Sequence, residues 1–184
     1  MAASRAIRIG GATATVIALL LAGCAPKKPA PPPPAPSAPP AQPIPAPTAL
    51  DPESYMAFTA SSALFAIRAS NFAEGRGSSN KIQKFATKVV MDQMGIGAQL
   101  NFAGRRIDLL PSSQPLPEHQ AMLELLASST DFDATYKAQL ASVLRKAAAV
   151  HRAFEASGSS PTLRPVARFA APVCEQNLAA LLKL

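Results

Sequence analysis

The sequence predicts an all-α protein: an antiparallel four-helix bundle with one extra short helix, following a signal peptide and a proline-rich linker. Three observations carry that expectation. Apolar residues make up 48% of the chain, yet aromatic residues are only 5% and Trp is absent. Much of the apolar content is alanine, which suits close-packed helices better than strands, whose surfaces favour β-branched and aromatic side chains. Apolar positions recur at helical spacing in four long stretches and one short one, and no stretch alternates with a period of two.

The first element is a targeting segment, residues 1–23. Met1 to Gly11 carries Arg5 and Arg8 and no acid, Ala12 to Ala22 is an apolar run, and small residues follow. This is the three-part pattern of a signal peptide, and its run falls short of the about 20 residues that a permanent spanning helix needs. It ends in Leu21-Ala22-Gly23-Cys24, which resembles the bacterial lipobox. There the cysteine sulfur accepts acyl chains and small neighbours let the backbone enter the peptidase. Cys24 is therefore the expected lipidation site and the new N-terminus. In lipoprotein sorting an Asp after the cysteine holds the product at the inner membrane. Ala25 stands here instead, so the periplasmic face of the outer membrane is the expected location. More than one acyl chain on such a cysteine gives stable anchoring.

The second element, residues 24–49, is the linker. Between Pro26 and Pro52 lie 13 of the 19 prolines, including Pro31-Pro32-Pro33-Pro34, interleaved mostly with Ala. Proline fixes φ and donates no backbone hydrogen bond, so polyproline II is the expected conformation. About 25 residues at about 3.1 Å each reach roughly 75 Å, as a tether or as a recognition segment.

The domain, residues 50–184, opens at Asp51-Pro52-Glu53, an N-cap acid followed by a proline at the first helical position. The first helix carries Phe58, Phe65 and Phe72 at heptad spacing and ends at Glu74-Gly75-Arg76-Gly77. The second begins near Ser79, with Ile82, Phe85, Ala86, Val89, Ile96, Leu100 and Ala103 on one stripe that continues across Gly95 and Gly97. A loop with Pro111, Pro115 and Pro117 leads to the short helix, read by Met122, Leu125 and Leu126. Asp131 then caps a long helix whose face carries Phe132, Tyr136, Leu140, Val143, Ala147, Val150 and Phe154. Gly158-Ser159-Ser160-Pro161 closes it, and the last helix runs through Val166, Phe169, Val173 and Leu181, with Pro172 expected to kink it.

Net charge is +7, but Arg5 and Arg8 leave with the signal and Lys27 and Lys28 belong to the linker, so the domain keeps 14 basic against 11 acidic residues, or +3. No basic patch interleaved with aromatics is present, and nucleic acid is not an expected partner. With Cys24 lipidated, Cys174 has no disulfide partner and reads as a small buried hydrophobe. Two polar residues fall on apolar stripes, Gln93 and Asn177. Buried amides need partners, and these two are expected to bond each other or water.

Catalytic sets are missing. No base is identifiable for Cys174, no Gly-x-Ser-x-Gly elbow occurs, and Gly75-Arg76-Gly77 lacks the context of a phosphate loop. The histidines are His119, at the start of the short helix, and His151, one turn before Glu155. His151 and Glu155 at i, i+4 form the one weak candidate metal pair, and the plainer reading is a pair on the helix surface.

Phe85-Ala86 followed by Val90-Met91-Asp92, Phe132-Asp133 with Tyr136, and Pro172 in the final helix are together similar to the ferritin-like bacterial family known as domain of unknown function 4142. Its members are often lipoproteins or signal-bearing proteins labelled as outer-membrane proteins. The resemblance implies a four-helix ferritin-like bundle over most of Tyr55 to Leu184 and no established activity. Family members often carry His where this chain has Gln93, Leu144 and Asn177, and a di-iron bundle needs Glu-x-x-His pairs that this chain lacks. No metal or cofactor is therefore expected. The expected role is a non-enzymatic one, binding or structural, in a membrane-anchored envelope lipoprotein with another envelope protein as a candidate partner. The alternative is a ferritin-like metal-handling or redox protein.

Overall fold

A computed structural model describes residues 51–184. The predicted signal peptide, Cys24 and the linker lie outside the described residues.

Helix α1 spans Pro52–Arg76, and its start is the predicted one: the Asp51 carboxylate accepts the Ser54 N–H at 2.8 Å. Its buried face is small and polar as well as apolar, with Thr59, Ser61, Ser62 and Ser70 buried beside Ala60, Ala66, Ala69 and Ala73. The phenylalanine heptad holds only in its middle. Phe65 is fully buried, Phe58 is partly buried, and Phe72 is 38% exposed. Seven residues fall about 20° short of two turns, so a strict heptad drifts off one face of a straight helix.

Gly77 turns the chain into α2, Asn80–Arg105, capped by the Ser79 hydroxyl. A Cβ on Gly77 would lie 2.7 Å from the Ala73 carbonyl oxygen and 2.9 Å from Ile82, so the tight α1–α2 approach requires glycine there. The α2 stripe is buried as expected, and the helix passes Gly95 and Gly97 unbroken. It ends where Leu109 N–H bonds Gly104 O at 2.9 Å around Asp108, whose φ is 55°. That is a Schellman-type stop with a non-glycine residue in the left-handed position.

Helix α3 spans Pro117–Ser128, but its interior stripe is His119, Leu123 and Leu126, whereas Leu125 is 60% exposed and Met122 only partly buried. Helix α4, Phe132–Ser157, has the predicted Asp131 cap and buries every residue of its predicted face. Helix α5, Arg164–Leu181, continues through Pro172. Its interior is Val166, Ala167, Ala170, Ala171, Cys174, Asn177 and Leu181, while Phe169 is 46% exposed and Val173 is only partly buried.

The four long helices form a ring in the order α1, α2, α5, α4, every adjacent pair packed and antiparallel. The diagonal step from α2 to α4 is made by one long crossover that carries α3 alongside α1 and α4. Arg76, in the last turn of α1, fixes the far end of that crossover. Its guanidinium donates to the Ala127 and Ser129 carbonyls at 2.8 and 3.1 Å and lies 4.5 Å from the Phe132 ring centre. Among the described residues no strand is present and no helix is long and apolar enough to cross a membrane.

Candidate functional site

The interior polar groups cluster into hydroxyl–imidazole and amide contacts between helices. Tyr55, in the first turn of α1, is fully buried, stacks on Phe154 with ring centres 3.9 Å apart, and places its hydroxyl 2.9 Å from Nδ1 of His151 on α4. Burial alone depresses the His151 pKa to about 4, so the imidazole is neutral at pH 7. Burial, with a smaller contribution from Cys174, pushes the Tyr55 phenol above its ordinary value. About four turns further along the same two helices, Ser70 and Tyr136 pair at 2.9 Å, and burial raises Tyr136 to about 12.

His119 is held in the same manner between α3 and α1. Its Nδ1 lies 2.6 Å from the Ser61 hydroxyl, which also accepts the Leu116 N–H at 2.7 Å, and the ring sits between Phe58 and Phe65. Burial lowers its pKa as well. These pairs provide neutral hydrogen bonds sealed in an apolar surround, chemistry suited to fixing helix register.

The predicted site residues are placed as follows. Gln93 and Asn177 are buried, at 2% and 0% exposure, as their stripes required. They do not bond each other. Gln93 donates through Nε2 to the Cys174 Sγ at 3.9 Å, while the Asn177 Oδ1 accepts from Lys88 Nζ at 3.0 Å and its Nδ2 has no partner. The antiparallel register of α2 and α5 is the reason, because it sets position 93 opposite 174 and position 177 opposite 88, about one turn away. Cys174 is buried and its thiol is raised to about 11, chiefly by burial.

The His151–Glu155 pair is not brought together, and the surface reading fails for His151. Its ring points inward to Tyr55, while the half-buried Glu155 binds Arg152 and Arg168 on the outside, at 3.3 and 3.0 Å. Although i and i+4 share one side of a helix, this pair straddles the edge of the buried stripe. The stripe itself runs Leu140, Leu144, Ala147, His151, Phe154, so helical spacing was the signal that could have placed His151 inside. The same signal exists for His119 with Leu123 and Leu126.

The residues present do not suit a bundle metal centre. Leu144 is buried with no donor, Gln93 and Asn177 offer neutral amides, and among the described residues no three His, Cys, Asp or Glu side chains converge. Amides are poor ligands for the transition metals that imidazole and thiolate hold.

The model of the family described as Domain of unknown function (DUF4142) matches residues 36–184. No curated protein and no solved structure matches the chain.

Proposed function

The chain belongs to the DUF4142 family, a family defined without an assigned activity, and from that premise we propose that it is a membrane-anchored envelope lipoprotein whose helical bundle serves a non-enzymatic binding or structural role. The single observation that carries the reading is the Leu21-Ala22-Gly23-Cys24 sequence at the end of a signal-like apolar run. The cysteine supplies an acyl acceptor, and Ala25 in place of Asp favours the periplasmic face of the outer membrane. The proline-rich stretch after it suits a tether between the anchored cysteine and the bundle. An envelope protein bound through an exposed helical face is the proposed partner. The test is intact mass after membrane extraction. The wild-type chain should start at Cys24 and carry acyl mass, and Cys24→Ala should abolish both; a different mature N-terminus with no acyl mass overturns the reading.

A second reading, a ferritin-like metal-handling or redox protein of the periplasm, draws on the single long crossover, the connectivity that ferritin-like bundles use. The interior donor set speaks against it. Elemental analysis of the purified protein separates the two, since stoichiometric iron, manganese, copper or zinc supports only the second.

A further inference from the structure

The crossover covers one side of the ring and leaves the other bare. Helix α3 lies on α1 and α4, and on the opposite side α2 presents a ridge of Met91, Met94, Ala98 and Phe102 at three- and four-residue spacing. Met91, Met94 and Phe102 are 68%, 57% and 64% exposed. A Cβ added at Gly95 or Gly97 would meet nothing within 4 Å. Phe102 shares a groove with Pro165 of α5, and the exposed Phe169 follows one turn after that proline.

Charge surrounds this ridge with one sign. Lys81 and Lys84 precede it and Arg105 and Arg106 follow it, with the Lys81 ammonium also donating to the Lys183 carbonyl at 2.8 Å; Asp92, the lone acid of α2, is neutralised by Lys88, whose ammonium is held by Asp92 and Asn177. An apolar ridge between basic ends is the pattern of a helix that lies in a membrane interface: apolar side chains enter the headgroup boundary while Lys and Arg stems reach up to anionic headgroups. We propose that the α2 face, with Phe169, docks on the surface of an anionic phospholipid bilayer. This rests on the reading of the protein as a lipid-anchored one, in which a reach of roughly 75 Å leaves the bundle free to lie down on the leaflet. A second copy of the chain fits the face poorly. Both ends of α2 are basic, so pairing two α2 helices in either direction sets like charges opposite each other.

The test uses a soluble chain from Ala25 to Leu184, which has no signal and no lipid but all the described helices, so that its outcome is independent of whether Cys24 is acylated; that question is settled separately by intact mass. Flotation with vesicles of phosphatidylcholine and phosphatidylglycerol should recover it, and neutral phosphatidylcholine vesicles should not. Binding should weaken roughly tenfold or more in Met91→Glu/Phe102→Glu and in Lys84→Glu/Arg105→Glu, and on raising salt. Phe72→Glu, on the covered side, should bind as the wild type does. Helical dichroism and cooperative melting of each variant are recorded first, with the milder Met91→Ser/Phe102→Ser standing in for any glutamate variant that fails them. Equal flotation with neutral vesicles, wild-type binding by the ridge variants, or a dimer in sedimentation that Phe102→Glu dissolves while anionic vesicles go unbound would each overturn the proposal.

Discussion

His151 behaves as an interior residue whose proton balance is set by burial. Its imidazole titrates near 4 in the folded protein and near 6.5 when the chain is unfolded. Between those values the unfolded chain takes up a proton that the folded one refuses. Stability is therefore full above about pH 6.5 and declines as pH falls toward 4, by about 3 kcal/mol from this residue. His119, also lowered by burial, adds to the decline in the same direction. Urea unfolding at steps from pH 7 to pH 4 measures it, and His151→Gln should show a distinctly shallower decline; an unchanged slope would remove the assignment. The amides give a second expectation. Because Gln93 and Asn177 have separate partners, Gln93→Leu and Asn177→Leu should add within about 0.5 kcal/mol in a double-mutant cycle. Asn177→Leu removes an unpaired buried donor and leaves Lys88 its pairing with Asp92, so it should cost little, within about 1 kcal/mol of the wild type. The burial of both amides was legible from the stripes they interrupt. Their partners were not, because the sequence of each helix fixes which face is buried but carries no register between helices.

At the scale of elements, the helices most clearly announced were those with a strong cap and a continuous stripe, α4 above all, where Asp131 and Phe132 through Phe154 sit as expected. Helix α1 was less legible on its inner face. Its buried serines and Thr59 resemble solvent-facing residues in sequence, and they are held inside by bonds that the sequence does not display: Ser61 to His119, Ser70 to Tyr136, and Thr59 and Ser62 to the Tyr55 and Phe58 carbonyls. In helix α3 Leu126 lies inside as the sequence predicts, but His119 and Leu123 take the inner places expected of Met122 and Leu125, since twelve residues give a period too few repeats to choose between adjacent faces. The stop of α2 depends on a residue type that tolerates its backbone only at a cost. Asp108 at φ 55° is in the left-handed region, where a Cβ is disfavoured by roughly 1–2 kcal/mol relative to glycine. Asp108→Gly should therefore raise stability, by up to about 1 kcal/mol after the added freedom of the unfolded chain is counted. Thermal melting checks this, and Asp108→Val should lower the midpoint.

For the whole molecule, the core is closed by helices the first of which is capped by Asp51, so a chain starting at Leu50 should unfold in one cooperative, helix-rich transition. A near-ultraviolet dichroism spectrum without fixed aromatic signals would move the domain boundary. The ring closes through two sets of contacts, α1 with α4 and α2 with α5, and the covalent thread between its halves is only the crossover that leaves α2 around Asp108, carries α3 and rejoins the ring at α4. Each half is a helical hairpin with a short turn of its own. Cleaving the peptide bond in the exposed Ser112-Ser113 stretch would leave every helix intact and convert the joining of the halves from an intramolecular event to an association. The two fragments are then expected to recombine when mixed, with a concentration-dependent midpoint and with Arg76, Ser61 and Tyr55 as the groups that recognise the incoming piece. In that sense the bundle is a complementary pair of subunits that happens to be translated as a single polypeptide.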